Sequence, residues 1–179
     1  MTKAVKLGSI FMVLIAGMMT HAFAGTEHQF DVKGYDQIAK KAIGMVISGN
    51  VDADNMLADM EKLVGLGVSG CKEHMGEAET PPEETKIMQL TIDNAQNMTS
   101  LTLADIESQW HEGGFLKTNG VDLGEYDHFS EVMCHYDGVV HPATAIICLK
   151  EYKKTNNADL LEQIKDELAE VREHMRHLE

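Results

Sequence analysis

The segment Ala143–Leu149, reading ATAIICL, constrains the fold of this chain more than any other stretch beyond the N-terminus. It is apolar nearly all round. A helix of that composition has no face to give to water, so it must be covered on most sides. The rest of the chain supplies the cover. Apolar residues recur every three or four positions at Tyr35, Ile38, Ala42 and Met45, then at Met56, Met60 and Leu63. The same spacing returns at Ile87, Thr91, Ala95 and Met98, and at Leu103, Ile106 and Trp110. It closes the chain at Leu161, Ile164, Leu168, Val171, Met175 and Leu178, where threes and fours alternate as in a coiled-coil seam. No segment alternates as a half-buried strand does. The expected fold is therefore all-α: a single-domain helical bundle of four to six helices over residues 25–179, with Ala143–Leu149 innermost.

The N-terminus reads as a cleaved signal peptide over residues 1–24. Lys3 and Lys6 precede an uncharged apolar run from Leu7 to Met19, and Ala22-Phe23-Ala24 is a small-x-small cleavage box, so the mature chain starts after Ala24, at Gly25. The run is short for a membrane span, which needs about 20 apolar residues. Cleavage leaves a periplasmic protein with no membrane span and a polar, mobile lead-in over residues 25–34. The formal net charge of the whole chain is −14, and loss of the two signal lysines makes it more negative. Such a surface repels phosphate backbones and anionic lipid, which excludes nucleic acid as an expected partner and leaves cations or a basic protein partner.

Gly65-Leu66-Gly67-Val68-Ser69-Gly70 matches the letters of the dinucleotide fingerprint. That motif needs a strand before it and a helix after it. The residues before it have helical spacing, so the glycines mark a loosened helix, a break, or a close approach of two helices. Pro81-Pro82 ends one helix, and Pro82 suits the first turn of the next. Asp137-Gly138 and Pro142 predict a break inside the central stretch, because a proline ring clashes with the carbonyl four residues earlier. A reversal at Gly138–His141 would set Cys134 opposite Cys148 across a helical hairpin. A Cys134–Cys148 disulfide is the first expectation for an exported chain with three cysteines, and a bridge from Cys71 to either is the rival.

Nine histidines raise the question of metal. His128, Glu131 and His135 fall at i, i+3 and i+7. They share a helix face and form a candidate copper or zinc set, on the side opposite the apolar stripe and hence at a surface or an interface. A solvated polar face is the plainer explanation of the three. Cys71, His74 and Met75 share another face and offer soft ligands suited to copper, against the alternative of plain packing. Glu125-x-x-His128 occurs once, whereas di-iron bundles carry the motif twice. His174 and His177 lie beside the last helix's seam. Trp110-His111-Glu112-Gly113-Gly114 could line a pocket or cap the core. No C-x-x-C is present, so haem, if bound, is non-covalent. No nucleophile–base pair, phosphate loop or paired-carboxylate motif is legible. The chain therefore reads as a non-catalytic binding protein for copper, zinc or haem, with an acidic protein–protein interaction module as the alternative.

Overall fold

The structure, a computed structural model, describes residues 30–179. The expected signal peptide, residues 1–24 with its cleavage point between Ala24 and Gly25, lies outside them. Among the described residues the protein is all-α and a single domain. The long helices are α1 (Val32–Ser48), α2 (Ala53–Gly76) and α3 (Pro82–Met98). A short α4 (Leu103–Ile106) runs directly into a π-helical turn, Glu107–His111, and α5 (Gly114–Thr118) follows. The chain closes with α6 (Glu131–Thr155) and α7 (Asp159–Arg176). Local chemistry sets several of these boundaries. Asp31 and Asp52 cap α1 and α2 by accepting from the backbone N–H groups of Gly34 and Asn55. Pro82 occupies the first turn of α3. Gly49 closes α1 and Asn156 closes α6, both with left-handed backbone.

Helices α1, α2, α6 and α7 form a closed ring in which each packs on two neighbours, and α3 lies outside across α2 and α6. The α4 segment adds a further cover over α6. Cover by α2, α7, α3 and α4 explains why every residue from Cys134 to Leu149 is buried. The ATAIICL segment is innermost, as its composition requires. Helix α6 is long and apolar enough to span a bilayer, yet its apolar window is wholly buried inside the bundle. The chain is ordered against the core earlier than the polar lead-in suggests: α1 begins at Val32, and Phe30 packs edge-on to Tyr35.

The break expected at Pro142 does not occur; α6 runs through it as one helix. Pro142 has no N–H, which leaves the carbonyl of Gly138, four residues back, without its helical donor. The hydroxyl of Tyr35 on α1 donates to that carbonyl at 2.9 Å. Gly138 carries no side chain, and there α2 crosses at closest approach: a Cβ on Gly67 would lie 2.2 Å from the Gly138 oxygen. The glycine run in α2 therefore marks a close helix crossing, and α2 is unbroken through it.

An unbroken α6 also removes the Cys134–Cys148 disulfide. Fourteen residues on one helix separate the two by about 21 Å, against the ~7 Å limit for bridged Cα atoms. All three cysteines are buried free thiols. Burial raises each thiol pKa to about 12.

Candidate metal centre

Helices α6 and α7 face each other with acids and histidines placed one turn apart. On α6, Asp137 and His141 stand at i and i+4; on α7, Glu167, Glu170 and His174 follow at i, i+3 and i+7. Residues so spaced share a helix face. Two further histidines reach the same place from outside the pair. The π turn re-aims the chain so that His111 Nε2 meets Thr144 Oγ1 at 2.9 Å and Glu167 Oε2 at 3.8 Å. Single π turns of this kind are found often at functional sites. His128, in the turn before α6, brings Nε2 to 3.2 Å from His174 Nε2.

The result is a chain of imidazoles and carboxylates through the bundle. His141 Nδ1 lies 2.7 Å from Glu167 Oε2, and its Nε2 lies 3.9 Å from Asp137 Oδ1. His174 Nδ1 stands 3.1 Å from Asp137 Oδ2 without the alignment of a hydrogen bond, so that nitrogen has no partner. Three overlapping triads can each close on one ion, their ligand atoms all within 4.8 Å: His111, His141 and Glu167; His141, Glu170 and His174; and His128, Asp137 and His174. Separations near 3.2 Å between imidazole nitrogens match ligands about 2.0–2.1 Å from a shared four-coordinate ion.

Electrostatics sharpen the case. Asp137, His141 and His174 are 6%, 4% and 0% exposed. Burial, with Glu170 and Glu167 nearby, pushes the Asp137 carboxyl up to about 7 despite the pull of His141. Burial and then the neighbouring His141 and His128 push His174 down to about 4. Burial also works against a charged His141, but the Glu167 hydrogen bond and the surrounding acids outweigh it and its pKa is raised. Burial lowers His111. Groups that resist charge in isolation and converge on a small volume are what a divalent cation stabilises together.

The sequence-derived ligand sets are redistributed. His128, Glu131 and His135 do not share a helix face, because α6 starts only at Glu131. His128 joins His174, while Glu131 and His135 turn toward His74. His135 is buried, not on a polar outer face, since Gly70 of α2 packs against its ring. Of the set Cys71, His74 and Met75, only His74 reaches a cluster; the Cys71 thiol donates to the His135 carbonyl at 3.4 Å. His174 lies in the buried seam of α7 and not beside it. Trp110 is core, stacked on Phe115, with its carbonyl accepting from the Tyr136 hydroxyl.

Asp137, His141, Glu167 and Glu170 were not among the sequence-derived ligands. Their signal was present in the chain: an acid-x-x-x-His pair occurs on both α6 (Asp137, His141) and α7 (Glu170, His174). The expected break at Pro142 had set His141 apart at a turn. No family model matches the chain, and comparison with curated proteins and with solved structures found no match.

Proposed function

We propose that this protein is an exported, non-catalytic helical bundle that binds a transition metal between α6 and α7. The observation that carries the reading is His141, whose two ring nitrogens face two different carboxylates in a core from which water is almost absent. A structural core gains little from Asp137, His141 and His174 in contact with Glu167 and His111, with Glu170 and His128 at its exposed edge; hydrophobic residues of equal volume would stabilise the buried part as well or better. The donors are imidazole and carboxylate, and no cysteine joins any cluster among the described residues. That favours zinc(II), iron(II) or manganese(II) over a sulfur-bound copper(I). Haem is less suited to the site, since it takes one or two axial ligands where many converge here.

When bound, the ion would hold α6, α7 and the π turn together through His141, His174, His111 and the acids between them. Metal analysis of protein purified from its native compartment without chelators tests this, followed by a thermal melt with and without added metal. Bound transition metal and an upward shift are expected; ligand at 100 times its dissociation constant stabilises by about 2.7 kcal/mol. A metal-free protein whose melt ignores zinc, iron and manganese ends the reading.

A further inference from the structure

Helix α6 carries ligands on a second face. His135 lies six residues before His141, about 9 Å along the axis and roughly 240° around it. It therefore points away from α7, toward α2. There His74, Glu131 and His135 each bring one ligand atom within 4.8 Å of the others. The two histidines are 4% and 6% exposed, and the Nδ1 atom of each is buried without a hydrogen-bond partner. Two such nitrogens side by side are costly unless something binds them.

The surroundings are arranged for ligation. His74 Nε2 lies 2.8 Å from Glu84 Oε2. With the Nε2 proton donated to that carboxylate, the Nδ1 lone pair faces Glu131 Oε1 at 3.9 Å and Glu77 Oε2 at 3.8 Å. A carboxylate behind the imidazole is the usual way of fixing a metal-binding histidine. On α2, Gly70 makes room for the second ring: a Cβ there would sit 2.7 Å from His135 Nδ1. The Glu131 side chain is 56% exposed, so the site opens to water and has a path of entry. The N-terminus of α6 disfavours a cation, and the carboxylates of Glu77, Glu84 and Glu131 outweigh it.

The geometry points to a second, separate, mononuclear site for a divalent transition metal, formed by His74, His135 and Glu131 with open positions for water. Two histidines and one carboxylate with vacant positions suit iron(II) or zinc(II). This site shares no ligand with the α6–α7 cluster and does not depend on it.

Zinc alone and cobalt(II) alone, titrated into chelator-treated protein, test the inference on wild type and three variants. Helix content by circular dichroism confirms that each variant is folded. Wild type is expected to show two classes of bound metal. Glu131→Gln, at an exposed position, should lose the class belonging to this site and keep the other. Glu84→Gln should weaken it by roughly 10- to 100-fold. His141→Ala, which removes a ligand from two of the three α6–α7 triads, should weaken the α6–α7 class and leave this one intact. The inference is overturned if Glu131→Gln binds as much metal, as tightly, as wild type, or if His141→Ala removes all of it. A wild type with metal bound only at the α2-facing site would sink the proposed α6–α7 centre and leave this inference standing.

Discussion

Gly67→Ala and Gly65→Ala, two residues apart on α2, should move stability in opposite directions. Gly67 is buried against α6, and a Cβ there meets the Gly138 oxygen at 2.2 Å and its carbonyl carbon at 2.6 Å. Both atoms are backbone, so neither can swing aside. Ordinary contact begins near 3.4 Å, which requires the helices to part by about 1.2 Å. Overpacking of this kind costs about 1–3 kcal/mol. The displaced Gly138 carbonyl also loses the Tyr35 hydroxyl, a further ~1 kcal/mol. Alanine's better helix propensity returns ~1 kcal/mol, leaving a net loss of about 2 kcal/mol. At about 2–4 °C per kcal/mol for a domain of this size, Tm should fall by about 4–8 °C. Gly65 is exposed, and a Cβ there meets nothing within 4 Å. Only the propensity gain remains, so Tm should rise by about 2–4 °C. Thermal unfolding of metal-free protein followed by far-ultraviolet circular dichroism reads both. If Gly67→Ala melts at or above wild type, α2 and α6 do not meet where the structure puts them. If Gly65→Ala falls as far as Gly67→Ala, the cost does not come from the crossing.

Other outcomes follow from the same contacts. Tyr35→Phe strands the Gly138 carbonyl that Pro142 already leaves without a donor, and should cost about 1–3 kcal/mol in chemical denaturation; an unchanged midpoint would mean another donor serves it. Metal-free protein should lose stability in acid. His135 and His174 titrate near 4 when folded and near 6.5 when unfolded, so the unfolded chain binds protons first as pH falls. The loss begins below about 6.5, is complete near 4, and amounts to roughly 3 kcal/mol for each histidine. Asp137, held up at about 7, takes its proton in the folded state first and returns roughly 3 kcal/mol over the same window, so the net loss is about 3 kcal/mol; a rise in stability over that window would contradict the burial of the two histidines as neutral rings. Glu167→Gln removes the carboxylate facing His141 and His111, and should weaken metal binding at the α6–α7 centre while leaving helix content unchanged, as read by zinc titration. Alkylation should label no cysteine in the native protein and all three after denaturation without reductant, since the thiols are buried and held near 12; one label would instead reveal a disulfide.

The bundle was legible because helical burial writes itself into spacing. ATAIICL demanded cover on every side, and the ring of α1, α2 and α7 with α3 outside supplies it. The α7 seam was visible for the same reason at Ile164, Leu168 and Val171. The pairing of ligands was not legible, because it depends on contacts between helices. His128 and His135 looked like neighbours on one face, but α6 begins between them. Pro142 carried a strong local signal for a break, and one distant hydroxyl, on Tyr35, reversed its consequence. With α6 continuous, His141 moved from a turn to the centre of the molecule. The acid-x-x-x-His pairs on α6 and α7 were present in the sequence, yet nothing local says that those two faces meet.

An anomalous difference map from crystals grown with zinc tests the central claim most directly, with data collected on both sides of the zinc absorption edge. The account predicts a peak between α6 and α7, within bonding distance of imidazole nitrogens from His141 or His174 and of a carboxylate from Asp137, Glu167 or Glu170. Zinc found only on exposed surface acids, with His141 and His174 still hydrogen-bonded to protein alone, would contradict it.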